Sequence, residues 1–378
     1  MSDRRGDELS PDSCGSRVIL FLGAGASASL GLKLMDSFMD LLVQQMGEAL
    51  ERVMQKILKS PTPKMDLENL FERIEEYERV AQWCSRQPPW AKVVGTKEYR
   101  DLMGDVSQIR ELAQTLVVTH YSGIDPNSVV RVYRDFLLLL LDSNRPTHLP
   151  VFTTNYDTAI EEFVDASEEG FELVDGFSPG SRREWSPDTT FHQYSAASTA
   201  ARTLLLFKLH GSSTWRVRKN TLQFTKESIA EPASDQSPYE NALVWPGLTK
   251  AIKKGPYQTN YTYLEACLGS AELCIVIGFS FRDEVIRGYF QKALNSNASL
   301  QLAIIDPNVQ EVVDSTGLLQ GLQLRLFQPD SPLIEGGVVL GIPARFGPKE
   351  LPLIVTALSQ LDFAWDPDHL RAPVGNPE

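Results

Sequence analysis

Five stretches of mostly apolar sequence punctuate the chain, at residues 18–22, 149–153, 204–209, 273–277 and 300–305, and each stops abruptly at small or polar residues. Strands covered on both faces read this way, without alternation, and belong to parallel sheets. Between the first two runs the period changes to that of a helix. Leu34, Phe38, Leu42, Met46, Leu50, Val53 and Ile57 fall on one face, and Ser60-Pro61-Thr62-Pro63 ends it. Three more helical patterns follow, through Leu67, Leu70, Phe71, Ile74 and Ala81, through Leu102, Val106, Ile109, Ala113 and Leu116, and through Val129, Tyr133, Phe136, Leu137 and Leu140. A parallel crossover needs only a dozen or more residues, so these helices predict an insertion at about residues 60–145. Residues 137–141 are apolar all round, which predicts burial.

Later in the chain, residues 175–202 are polar and read as loop, with Pro179, Gly180 and Pro187. Thr214-Trp215-Arg216-Val217, a Lys219-Asn220 turn and Leu222-Gln223-Phe224 predict a short hairpin, within an insertion at about residues 175–262. The pattern as a whole predicts an α/β fold: a Rossmann-like parallel sheet with helices on both faces and a large helical insertion. It fills one domain at residues 17–365, between flexible ends at 1–16 and 366–378.

The ends of the strand runs carry the chemistry. Open α/β sheets bind ligands at the carboxyl ends of their strands. After the first run comes Gly23-Ala24-Gly25-Ala26-Ser27-Ala28. Gly23 permits a tight turn, Gly25 lets backbone approach a pyrophosphate, and Ala28 permits close helix–strand packing. The first amides of a following helix would face the anion. One such turn is weak evidence, because any tight strand-to-helix turn needs small residues. The second run ends in Thr154-Asn155-Tyr156-Asp157, the third in His210-Gly211-Ser212, and the fourth in Gly278-Phe279-Ser280-Phe281-Arg282-Asp283. Ser, Thr, Asn and Asp are ordinary helix caps. Four clusters on one edge, one with a histidine, exceed what capping needs.

Charge and composition narrow the classes. With 36 Lys and Arg against 49 Asp and Glu, the net charge of −13 argues against long-range capture of nucleic acid. No apolar run nears the roughly twenty residues that span a bilayer. The polar first residues, Asp3, Arg4, Arg5, Asp7 and Glu8, make no signal peptide. Cys14, Cys84, Cys267 and Cys274 are scattered and read as reduced side chains of a cytoplasmic protein.

The order Gly-Ala-Gly-x-Ser, Thr-x-Asn-x-Asp, His-Gly, Gly-x-Ser resembles the sirtuin superfamily. Thr153-Thr154-Asn155-Tyr156-Asp157 and Gly278-Phe279-Ser280-Phe281-Arg282-Asp283 are closer to bacterial sirtuin-like NAD-cleaving effectors of anti-phage defence. The motifs run from Gly23 to Asp283. A protein deacylase of this family carries two Cys-x-x-Cys pairs around a structural zinc, and no two cysteines here have that spacing. The acidic-aromatic-arginine segment after the first glycine motif is replaced by Gly31-Leu32-Lys33-Leu34-Met35-Asp36. Both departures weaken acyl-lysine binding and leave the NAD-handling residues in place.

The resemblance implies an NAD glycohydrolase, with NAD as substrate, no metal, and nicotinamide and ADP-ribose as products. His210 would be the general base, Asn155 would position ribose or water, and Asp157 would hold the nicotinamide carboxamide. Gly23, Ala24, Gly25 and Ser27 would cradle the pyrophosphate beside Thr154. Gly278, Ser280 and Asp283 would line the adenosine side, and Asp306 would meet its ribose. The resemblance also implies a homo-oligomer and a partner ATPase of the hexameric HerA type. Two other readings stay open: an NAD-dependent protein deacylase, and a non-catalytic module that binds NAD or an ADP-ribose derivative and signals to a partner.

The remaining candidates have plainer readings. His120 ends a helical pattern, where a cation suits the dipole. His148 precedes a strand, His192 lies in a loop and His369 in the tail. The six tryptophans, Trp83, Trp90, Trp185, Trp215, Trp245 and Trp365, sit on different elements and read as packing residues. The pairs Arg182-Arg183 and Lys253-Lys254 read as solvated surface.

Overall fold

The computed structural model describes residues 16–32, 36–53, 55–56, 67–87, 92, 96–121, 123–142, 148–179, 183–187, 191, 202–218, 221, 223–227, 239–244, 255–318, 324–328 and 339–361. Residues 1–15 and 362–378, His192, His369, Arg182, Lys253, Lys254, the Lys219-Asn220 turn, Trp90, Trp245 and Trp365 lie outside the described residues.

Strand β1 (Val18–Leu22) leads through a 3-10 helix (Ala24–Leu30) to the helices α1 (Asp36–Val53), α2 (Leu67–Ser85), α3 (Lys97–His120) and α4 (Pro126–Asp142). Then come β2 (His148–Thr153), α5 (Ala159–Ala166), β3 (Phe171–Val174), β4 (Arg183–Glu184), β5 (Arg202–Lys208), β6 (Gly211–Arg218), β7 (Phe224–Lys226) and β8 (Tyr239–Leu243). The chain continues with α6 (Gly255–Ser270), β9 (Leu273–Ile277), α7 (Glu284–Ser296), β10 (Gln301–Ile305), α8 (Val309–Thr316), β11 (Leu324–Leu326), β12 (Val339–Ile342) and α9 (Leu351–Leu358).

Eight strands form one sheet in the order β11-β12-β10-β9-β1-β2-β5-β3, and every neighbouring pair is parallel. The apolar runs alternate between its two faces. Val18, Leu20 and Leu22 join one core with residues of α4, α5 and α9. Ile19 and Phe21 join another with residues of α6, α7 and α8. Helices therefore cover both faces, as the unalternating sequence requires. Residues 137–141 fill the first core: Leu137 and Leu140 are wholly buried. Each such side chain contributes about 1.5–3 kcal/mol by leaving water.

Helices α1, α2 and α3 share a separate core of Leu42, Leu50, Val53, Leu70, Phe71, Ile74, Val106, Ile109 and Val117. Met46 departs from helical geometry (φ −135°, ψ 34°) and kinks α1. Among the described residues no helix is long and apolar enough to cross a membrane.

Several expectations need correction. The glycine turn feeds a seven-residue 3-10 helix, not an α-helix, and the buried residues there are Ala26 and Ser27, while Ala28 is exposed. Cys267 is disulfide-bonded, so the cysteines are not all reduced, whereas Cys84 and buried Cys274 are free thiols. Trp83 is 59% exposed and packs no core. The stretch read as loop at residues 175–202 contributes β4, and its Asp175 and Phe177 are buried.

A second, antiparallel sheet runs β4-β7-β6-β8. Buried charge joins it to the first. Lys226, at the end of β7, donates to Asp175 Oδ2 at 2.7 Å and to Glu161 Oε1 of α5 at 3.3 Å. Arg183 of β4 donates to the other Asp175 oxygen at 2.8 Å, so it is paired and not simply solvated. Burial alone would lift the Asp175 carboxyl pKa, but Lys226 and Arg183 outweigh it and hold the group below the usual carboxylate range. For Lys226, burial alone would lower the ammonium pKa; Glu161 and Asp175 overcome this and raise it.

Lys226→Met should leave two buried carboxylates without their ammonium and cost about 3–5 kcal/mol in urea unfolding at neutral pH. A loss under about 1 kcal/mol would show that the pair does not fasten the sheets. The depressed Asp175 contributes stability above its unfolded value near pH 4, which is lost as the pH falls through its folded value. The raised Lys226 contributes below an unfolded value near 10.4, which is lost only as the pH rises through its folded value. Parent stability should therefore decline on the acid side of about pH 4 and hold through neutral pH.

Candidate functional site

Register places the ends of the central strands in one row. Leu22 of β1 lies opposite Thr153 of β2 and Ile277 of β9, Thr153 opposite Lys208 of β5, and Ile277 opposite Ile305 of β10. The polar motifs begin within two residues beyond that row. The chain runs from β1 to β2, out to β3 at the edge and back to β5, then crosses to β9 on the other side of β1, so β1 marks a reversal of winding. Such a point opens the crevice in which α/β sheets take ligands.

The β1 and β9 turns meet backbone to backbone. The Gly25 amide donates to the Gly278 carbonyl at 2.9 Å, and the Gly23 amide to the Ile277 carbonyl at 2.9 Å. A Cβ on Gly23 would lie 2.5 Å from the Gly278 oxygen, and one on Gly25 would lie 2.7 Å from the Gly278 Cα. These glycines make room for each other. The Ala26 amide also has an internal partner, the Gly23 carbonyl at 3.0 Å. Ala24 stands exposed beside them.

Ser27, Asn155 and Asp157 form one network. The Ser27 hydroxyl donates to Asp157 Oδ2 at 2.7 Å. The Asn155 amide donates to the Gly23 carbonyl at 2.9 Å and to Ser27 Oγ at 3.0 Å. Asp157 Oδ1 accepts from the Ala159 amide at 3.0 Å, which anchors the start of α5. Ser27 and Asp157 are buried and Asn155 is half-buried. Thr154 fixes the loop through its amide, bonded to the Leu22 carbonyl at 3.2 Å.

Three residues outside the sequence motifs support this network. Tyr133 of α4 donates to the Ala26 carbonyl at 3.4 Å, and burial pushes its phenol pKa well above the ordinary value. Buried Lys208 donates to the main-chain oxygen of Asp157 and lies 3.6 Å from Glu161 Oε2. A void of about 10 Å³, room for roughly one water, is lined by Ser27, Tyr133, Asn155, Asp157, Glu161 and Lys208. A lone lysine at the end of an apolar run was a legible sign of buried charge at Lys208. Nothing in the helical period of α4 distinguishes Tyr133.

His210 lies two residues beyond β5, with its side chain 4% exposed. Its Nε2 is 3.1 Å from Asp283 Oδ2. Asp283, expected on the adenosine side, is thus joined to His210. The structure brings Ser27, Asn155 and Asp157 together as one group and His210 with Asp283 as another. Tyr156 lies between the two, its ring centroid 6.4 Å from that of His210. Ser280 is exposed and Gly278 half-buried in the β9 turn. Asp306, at the end of β10, is half-buried; burial raises its carboxyl pKa against an opposing bond from the Asn308 amide at 2.8 Å. Among the described residues no group of three or more His, Cys, Asp or Glu could hold a metal. His120 is the last residue of α3, and His148 opens β2.

Residues 150–325 match the family model described as a SIR2-like domain, which supports a sirtuin-like superfamily for this chain. The match takes in Asn155, Asp157, His210 and the β9 turn. No curated protein matches the sequence. Among solved structures, a mutant Sir2 homologue in complex with ADP-ribose is 12% identical with TM-score 0.42, covering 93% of this chain and 98% of that one. A Sir2 homologue–NAD complex is 12% identical with TM-score 0.38, covering 81% and 84%. A Sir2–p53 peptide–NAD+ complex is 12% identical with TM-score 0.40, covering 92% and 95%.

Gly278 is the most constrained of the three turn glycines. Its φ is +59°, and an added Cβ would lie 2.3 Å from Gly25 Cα. Gly278→Ala should therefore cost about 2–4 kcal/mol, from a left-handed backbone and a clash that neither turn can yield to cheaply. Thermal unfolding of the variant checks this, and an unchanged midpoint would contradict the packing described.

Proposed function

We propose that the chain is an NAD glycohydrolase, converting NAD and water to nicotinamide and ADP-ribose. One observation carries the reading: Ser27, Asn155 and Asp157 form one hydrogen-bonded group beside the reversal of winding, and His210 lies beyond the end of β5 on the same sheet edge. The SIR2-like match over residues 150–325 supports NAD as the substrate class.

In the reaction the bond between ribose C1′ and the nicotinamide nitrogen breaks, and its electron pair leaves on that nitrogen. A new C1′–O bond forms from water, whose proton passes to His210 as general base. Asn155 orients the ribose or the attacking water, and Asp157 accepts from the carboxamide of the leaving group. Ala24 and Ser27, with the Gly23 and Gly25 backbone and Thr154, lie along the pyrophosphate. Gly278 and Ser280 line the adenosine side, and Asp306 meets its ribose. Much of the rate comes from holding these groups in place before the sugar becomes cationic.

The biological setting we propose is NAD depletion in anti-phage defence. A freely active enzyme of this kind would exhaust its own cell, so activity requires a gate. The helical insertion is our candidate for self-assembly, with Val80 and Trp83 of α2 exposed at 58% and 59%. A HerA-type ATPase is the proposed protein partner.

Incubating the chain with NAD and separating the products tests the reaction. Free ADP-ribose is expected; O-acyl-ADP-ribose formed only with an acylated peptide would establish a deacylase, and no product a binding module. His210→Ala should lower turnover by about 10²–10⁴-fold with the fold intact by circular dichroism. Parental turnover in that variant would overturn the assignment. For the gate, light scattering and NAD turnover across a dilution series should fall together. A monomer equally active at every concentration would rule out gating by assembly.

A further inference from the structure

The contact between His210 and Asp283 joins distant strands. In the sheet, β5 and β9 are separated by β1 and β2, about 14 Å in all at the usual strand spacing. The loops beyond β5 and β9 must lean toward each other across those strand ends for the side chains to meet. Both side chains are more than nine-tenths buried where they do, at 4% and 7% exposure.

Asp283 is held from behind. Its other carboxylate oxygen, Oδ1, accepts from the Val285 amide at 3.0 Å and the Ile286 amide at 3.2 Å, which caps α7. The carboxylate cannot swing away from His210 without uncapping that helix. The turn that delivers it is strained. Phe281 has φ +54°, the positive-φ residue other than glycine among the described residues. A phenylalanine in this conformation costs on the order of 1–3 kcal/mol. It is wholly buried and clamped between Phe279 and Phe290, with ring centroids 4.9 and 5.2 Å away. Arg287 donates to its carbonyl at 3.1 Å. Capping alone needs no such strain, since an aspartate in ordinary extended geometry caps equally well.

From this geometry we infer that Asp283 is a positioning residue for His210. Its carboxylate, which only accepts hydrogen bonds, fixes the neutral imidazole as the Nε2–H tautomer and places the basic lone pair on Nδ1. The helix cap and the strained Phe281 turn hold the carboxylate in the one place from which it reaches the ring. The inference rests on the proposed hydrolase for its catalytic meaning, but the tautomer can be measured without turnover.

Two variants test it. Asp283→Asn and Asp283→Ser both keep a good N-cap. Asparagine loses the charge, and serine also loses the reach to His210. Unfolding midpoints should stay within a few degrees of the parent in both. Steady-state kinetics should show kcat for NAD cleavage lowered by about 10–10³-fold with KM little changed, as when the orienting carboxylate of a catalytic histidine is removed. Nitrogen-15 spectra of the imidazoles, with His210 assigned by difference against His210→Ala, should show the Nε2–H form in the parent and its loss in the serine variant. Parental or faster turnover in both variants, or an unchanged tautomer, overturns the inference; faster turnover would mean that Asp283 masks the histidine. Should the parent fail to cleave NAD, the hydrolase reading fails, and the nitrogen spectra alone still decide whether Asp283 sets the ring.

Discussion

The two glycine turns can touch only because neither carries a side chain, and the geometry of the site hangs on that contact. With Gly25 bonded to Gly278 at 2.9 Å, the ends of β1 and β9 close on each other at the point where the sheet reverses its winding. The closed turn presents the Gly23 carbonyl to Asn155, which draws the β2 loop inward. Ser27 is then caught between Asn155 and Asp157. On the far side the β9 loop, steered by Phe281, carries Asp283 to the start of α7. Packing between the two turns by itself requires glycine at these positions.

Much of the sheet was legible because buried strands have to be apolar on both sides. The runs that became β1, β2, β5, β9 and β10 form its centre, and their polar ends mark the edge that matters. The strands missed, β3, β11 and β12, lie toward its borders. They are three or four residues long and end in no cluster of caps or candidate ligands. Periodicity found the insertion helices, since each buries a stripe. It could not reveal that Ala24–Leu30 would wind as a 3-10 helix, because the packing of Gly25 on Gly278 is a tertiary fact. The pairing of His210 with Asp283, 73 positions apart, left no local trace either.

Buried charge is the other feature that a one-dimensional pattern hides. Lys208, Lys226, Glu161, Asp175 and Asp157 are all less than 9% exposed. A hydrophobic replacement of similar volume is often no less stable than such a group. What charge adds is direction. Lys208 points at the Asp157 carbonyl and Lys226 at Asp175 and Glu161, and an apolar contact would tolerate sliding that these bonds do not. Glu161 lies near both lysines, so one carboxylate on α5 registers the site loop and the second sheet together.

That shared register bears on the histidine. A four-stranded antiparallel sheet has little core of its own, and small modules commonly rely on a metal or disulfides for the deficit. Here Phe177, Trp215, Phe224 and Tyr257 form an aromatic cluster, and the Lys226 pair fastens the sheet to α5. Its strand β6 begins at the residue after His210. Gly211 adopts φ +87°, and a Cβ there would lie 2.1 Å from the Ala242 carbonyl, so β8 packs directly on the turn. The Val244 amide then bonds the His210 carbonyl at 2.8 Å. The histidine backbone is thus set from the second sheet and its ring from α7, through Asp283. The aromatic and ionic scaffold of the second sheet continues without a break into the His210 turn.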